Sequence, residues 1–376
     1  LRDLSFVLAD GTHVDTADAA SVAAFRQSHA QLLAQLQSLA EQVRSDAEFS
    51  ATITQQYRLK NTMGYGLNAL LDFTDPLAIL SHLFVGSEGT LGFIEAITYR
   101  TVEVPAARAT GLYLFADSHA ACAIIPALRD IGVDAVELMD GRALQSVTHL
   151  LQPYTTRTIP PHAVALLIEV GRADTEQLQQ ATTALATLLA EATTAAQSLC
   201  AFSTDPERSA ALWNIRKGLF PAVGAVRASG TTVVIEDVAF PLEQLAAAVD
   251  DLQALLSAHG YHEAIIFGHA LDGNVHFVFT QSFNTDAEVQ RYAEFMAAVN
   301  VLVTERYSGT LKAEHGTGRN MAPYLYAQWG GKGLALMQQL KQLLDPAGIL
   351  NPGVILNEDP LAHLQDLKQL SAVAAS

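Results

Sequence analysis

The chain is short of cysteine, of cations and of long apolar runs. Its two cysteines, Cys122 and Cys200, stand far apart among 376 residues. Two thiols exclude a disulfide framework, or an iron–sulfur cluster built within this chain, and read as buried core thiols of a reducing cytoplasm. Lys and Arg number 22 against 39 Asp and Glu, a net charge of −17. That balance excludes nucleic acid as a partner, because phosphates demand Lys and Arg. No apolar run is long enough to span a bilayer, and no signal peptide is visible. An initiating methionine is also lacking. Residues 1–14, LRDLSFVLADGTHV, read as two short strands joined at Asp10-Gly11. A start inside a hairpin reads as the interior of a longer protein.

What is present is apolar. Half of the residues are hydrophobic, enough for a sizeable core and, by length, two domains. Helical spacing runs through residues 21–45. Residues 79–105 read as strand, glycine loop, strand, and 212–223 as a helix up to Pro221. From about 109 to 340 strands and helices alternate around one clear hairpin. The expected fold is α+β, an antiparallel sheet covered by helices on one face.

The hairpin is GHALDGNVH, residues 268–276. A two-residue turn centred on Asp272-Gly273 would set His269 opposite His276, with both imidazoles on one face. Paired imidazoles suit a divalent metal, and Gly268 leaves room for close approach. Glu314 and His315 stand at the end of an expected strand in LKAEHGTGRNMAPY, before a glycine turn. Neighbours on a strand point to opposite faces, so one would ligate while the other does proton chemistry. The third short segment, GSEGTLG (86–92), lies between apolar stretches, and its glycines let backbone N–H groups approach a ligand.

KNTMGY (60–65), GSEGTLGFI (86–94), GHALDGNVH (268–276), EHGTG (314–318) and DPAGILNPG (345–353) occur in this order. Together they resemble the FAD-linked oxidases of the vanillyl-alcohol oxidase type, in particular the bacterial D-lactate and D-2-hydroxyglutarate dehydrogenases. The resemblance covers nearly the whole chain. It implies the second half of a flavin domain at 1–105, a cap or substrate domain at 106–340, and a return to the flavin domain at 341–376. It implies that Asn61, Thr62, Gly86, Ser87, Glu88, Gly89, Thr90, Gly92 and Asn351 line FAD. It makes His269, His276 and Glu314 ligands of a divalent metal, zinc or manganese, and His315 the active-site histidine. Arg216 falls where the family binds the substrate carboxylate, and Asn274 joins His315 and Arg216 in the expected catalytic set. The family's glycine-rich phosphate loop of the kind R-G-G-G-T is missing. Gly330-Gly331-Lys332-Gly333 is the nearest candidate and lies in the wrong half. The cysteine-rich iron–sulfur portion of the long members is missing as well.

Phe220 and Val278 are apolar where polar contacts would suit a dicarboxylate, so the expected substrate is D-lactate, with D-2-hydroxyglutarate the alternative. The expected chemistry is oxidation of a D-2-hydroxy acid to the 2-keto acid, with His315 as base and flavin as hydride acceptor. Electrons then pass to an unidentified acceptor. The chain alone is expected to be inactive and to bind FAD poorly. The intact enzyme is expected in the cytoplasm, with peripheral association at a membrane surface. The rival reading is a metal-dependent hydrolase using the same histidines and carboxylate. A third is a domain with no activity of its own.

Overall fold

The computed structural model describes residues 1–191 and 197–370. The chain divides into two compact units, Leu1–Val102 with Thr310–Gln365, and Glu103–Gly309 with the stretch from Asp366 onward. The first switch falls at Val102/Glu103, where the sequence reading set 105/106. The return falls at Thr310 rather than 341, so Glu314 and His315 belong to the first unit. Among the described residues no helix is long and apolar enough to cross a membrane.

The first unit carries a three-stranded antiparallel sheet, in the order β2 (His13–Asp15), β1 (Asp3–Val7), β3 (Phe93–Thr98). The hairpin at Asp10-Gly11 is as expected. The helical stretch at 21–45 is two helices, Ala19–Ser28 and Ala30–Ser45, divided at His29, and a third, Ala47–Gln56, follows Asp46. Residues 79–85 are not a strand. Pro76–Phe84 is a helix, with the Asp75 carboxylate accepting from Ala78 N–H and Pro76 in the first turn. Those start signals outweigh the strand propensity of its Ile, Leu and Phe. Phe6, Phe25 and Phe84 form the aromatic centre of the core.

The second unit is one seven-stranded sheet in which every pairing is antiparallel. Its strands in chain order are β4 (Ala107–Phe115), β5 (Ala135–Asp140), β6 (Val164–Arg172), β7 (Gln197–Ser203), β8 (Thr232–Ala239), β9 (Ile265–His269) and β10 (Asn274–Gln281). The spatial order is β7-β4-β6-β5-β9-β10-β8. This is the expected antiparallel sheet with helices, but the cover is fuller than on one face. Leu212, Ile215 and Leu219 of the helix Pro206–Val226 pack with Leu112, Leu167, Phe267 and Val278. Phe277 points the other way and meets Phe295 of the helix Asp286–Asn300. Strands this apolar on both sides require two covers. The helix Pro206–Val226 continues through Pro221. The carbonyl freed by the missing N–H is that of Lys217, an exposed position where water can satisfy it.

Candidate active-site residues

In the second unit the hairpin is wider than a two-residue turn. Ala270–Asp272 forms a short helical turn and Gly273 closes it, so His269 pairs with Asn274 and His276 with Phe267. The histidines therefore meet diagonally rather than directly. They still share a face, because Phe267 and His269 are two residues apart on β9. Their ring centroids lie 5.3 Å apart at an interplanar angle of 90°, and one ligand atom of each lies within 4.8 Å of the other. Gly268 is needed here: a Cβ on it would meet the Asn274 carbonyl oxygen at 2.2 Å.

On one flank, β5 sets Glu137 directly opposite His269. The carboxylate takes His269 Nδ1 at 2.7 Å and Arg216 Nε at 2.7 Å. Burial alone would raise the Glu137 carboxyl, but His269 and Arg216 together hold it below the ordinary value. The Arg216 guanidinium lies over the Phe267 ring, 4.3 Å from its centroid. One turn earlier, Trp213 Nε1 donates to Glu169 at 2.8 Å, pinning the same helix to β6. On the other flank, β8 sets Asp237 opposite His276. Asp237 is fully buried, and a carboxylate oxygen lies within 4.8 Å of a His276 ring nitrogen. Asn274 is also fully buried. Its Nδ2 donates to the Val238 carbonyl at 3.1 Å, while its Oδ1 has no partner among the described residues.

The two positions expected to set the substrate separate. Val278 is fully buried within the core cluster, so it lines no open site. Phe220, four residues after Arg216 on the same helix, is 45 % exposed.

In the first unit the predicted flavin residues do gather, although several are occupied with holding the loops. Glu314 and His315 do not end a strand. They lie in irregular chain, so the alternation argument about them lapses. Tertiary partners take the backbone groups instead. Thr62 N–H donates to the Lys312 carbonyl at 2.8 Å, and Gly316 N–H donates to Thr62 Oγ1 at 3.0 Å. The Glu88 carboxylate accepts from Thr317 N–H at 2.6 Å and from Gly318 N–H at 2.9 Å. Burial raises the Glu88 carboxyl in spite of those two hydrogen bonds. Asn351 Nδ2 donates to the Glu88 carbonyl at 2.7 Å, so the C-terminal segment touches the glycine loop. Glu314 pairs with Lys60 at 3.0 Å.

Ser87 and Thr90 are buried, and their hydroxyls donate to backbone carbonyls within the turn. A Cβ on Gly92 would strike the Phe84 ring at 2.1 Å, so its smallness serves packing. Gly86 and Gly89 differ. Both have positive φ, 76° and 71°, and a Cβ on either would meet open space. Asn61, Thr62 and Gly86 line a cavity of about 550 Å³ with Tyr57, Gly64 and Ile94. A mostly apolar cavity of that size, edged by a loop whose backbone is open to approach, fits one portion of a flavin cofactor. The pair of half-buried His269 and buried His276, with its carboxylate neighbours, fits a divalent metal.

The fold has counterparts among solved structures. It is shared with 4-ethylphenol oxidase from Gulosibacter chungangensis at a TM-score of 0.52, over 74 % of this chain and 59 % of that one. At 13 % identity that likeness concerns the fold alone. Residues 104–355 match the FAD linked oxidases, C-terminal domain, and the chain belongs to that family. The D-2-hydroxyglutarate dehydrogenase of Xanthomonas citri pv. viticola is 29 % identical over 78 % of this chain and 58 % of its own length. The mitochondrial D-lactate dehydrogenase (cytochrome) of Arabidopsis thaliana is 31 % identical over 74 % of this chain and 47 % of its own. The chain thus spans about half the length of the curated relatives it matches. Family membership sets the hydrolase reading aside.

Proposed function

We propose that this chain carries the substrate end of an FAD-dependent D-2-hydroxy acid dehydrogenase with a metal-assisted mechanism. The observation that supports it most is the row Arg216, Glu137, His269, His276, in which a forked cation and paired imidazoles share one face of one sheet. When bound, FAD supplies the hydride acceptor and a divalent ion supplies Lewis acidity at the substrate hydroxyl. Arg216 binds the substrate carboxylate through its Nη groups, since its Nε is given to Glu137. His269 and His276 hold the ion, and Glu314 is added to them on the sequence pattern alone. His315 accepts the hydroxyl proton at a ring nitrogen. Asn274 offers a buried amide oxygen that still lacks a donor. Asn61, Thr62, Gly86 and Gly89 flank the flavin.

The proposed substrate has a short apolar tail, as D-lactate does. That choice now rests on Phe220 alone, since Val278 belongs to the core. The test is paired. His269→Ala and His276→Ala should each lower bound metal and turnover together. Unchanged metal content in both variants would contradict the assignment.

A further inference from the structure

One buried carboxylate has no place in the chemistry above. The Glu137 side chain is 6 % exposed. A carboxylate taken out of water costs several kcal/mol unless its oxygens are matched. Here each is matched by a different functional residue. Oε1 faces His269 Nδ1 and Oε2 faces Arg216 Nε, both at 2.7 Å.

The two contacts have different consequences. A carboxylate oxygen only accepts, so a neutral His269 carries its proton on Nδ1 and its lone pair on Nε2. Histidines that ligate metals commonly donate their other N–H to a carboxylate, which fixes the ring and raises its basicity. The second oxygen fixes the fork of Arg216. That fork lies over Phe267, the residue opposite His276 in the hairpin. One carboxylate therefore stands behind an imidazole of the hairpin and behind the cation on the covering helix.

We propose that Glu137 is a positioning residue: it holds His269 as the Nδ1–H tautomer, with Nε2 presented to a divalent ion, and tethers Arg216 at the same time. The proposal rests on the metal reading above. A strut joining β5, β9 and the helix Pro206–Val226 would also use this ion pair. The readouts must therefore be ones that a strut leaves unmoved.

The experiment uses the full chain, freed of metal. Long-range ¹⁵N spectra report the tautomer of His269, and titration with zinc against a chelator reports affinity, counting zinc bound beyond that of His269→Ala. The wild type should show the Nδ1–H form. Glu137→Met should lose that preference and bind zinc roughly 10–100-fold more weakly. An Nε2–H tautomer in the wild type overturns the proposal, and needs no variant that folds. Wild-type zinc affinity in a folded Glu137→Met chain overturns it as well. A wild type with the Nδ1–H form that takes no zinc at this site defeats the metal reading itself. Glu137 is then left as an ion pair, and the two failures are told apart.

Discussion

Asp140 is a buried acid outside the site, and its behaviour with pH is determined by its surroundings. It accepts from Ala143 N–H at 2.7 Å, capping the helix Gly141–Ser146, and from Gln253 Nε2 at 3.0 Å. Full burial pushes its carboxyl up to about 7, against the pull of those hydrogen bonds. An acid with a raised folded-state pKa binds more protons folded than unfolded between the two values. Its contribution to stability therefore falls as pH rises from about 4 to about 7. Asp140→Asn keeps the capping oxygen and loses this dependence. Urea unfolding at both ends of that range should show the wild type losing ground to the variant as pH rises. A difference independent of pH would show that Asp140 is not raised. At the same scale, His315→Asn should lower kcat and kcat/KM together by about 10²–10⁴ while metal and flavin stay bound. Loss of metal in that variant would make His315 a ligand instead of the base.

The residues legible in the sequence were those that announce themselves locally. His269 and His276 flank a turn, so their shared face follows from strand alternation even with the turn miscounted. Glu137 was illegible because it stands 132 positions from His269 and meets it only through sheet order. Asp237 is set beside His276 only by the β8–β10 register, which no local signal carries. Glu88 was assigned to the cofactor, while its carboxylate holds the EHGTG loop 229 positions away.

Elements follow the same division. The apolar spacing in Thr175–Glu191 and Leu245–Ala258 is of the kind that marks a helix in the sequence itself. Pro76–Phe84 was misread because apolar runs this short do not separate strand from helix by period. The hairpin is the element on which the site depends, and Gly268 is its tightest point. Gly268→Ala would press a Cβ within 2.2 Å of the Asn274 carbonyl oxygen and 2.6 Å of Val275 Cα. Both are backbone atoms, so β9 and β10 must part. The expected loss is on the order of 1–3 kcal/mol or more in urea unfolding, with the His269–His276 pair disturbed. Undiminished stability and zinc binding would mean that the hairpin is looser than described.

At the scale of the whole molecule, each unit supplies a different part of the proposed chemistry. The first carries the open glycine loop and the Asn61–Thr62 cavity edge. The second carries the cation and imidazoles. The point of return at Thr310 was not anticipated, because residues 310–320 are irregular chain fixed by Thr62 and Glu88 rather than by any periodicity of their own. Among small substrates, D-lactate should exceed D-2-hydroxyglutarate in kcat/KM for the intact enzyme. The reverse order would mean that a second cation answers the distal carboxylate.

The most direct measurement is anaerobic reduction of bound flavin, in the intact enzyme purified with its FAD, by the two enantiomers of lactate and of 2-hydroxyglutarate. A D-2-hydroxy acid should bleach the flavin and its L-enantiomer should not, and in Arg216→Met the flavin should be reduced far more slowly at low substrate. A flavin that stays oxidised with every D-2-hydroxy acid, or that is reduced in Arg216→Met as fast as in the wild type, would contradict the proposed function.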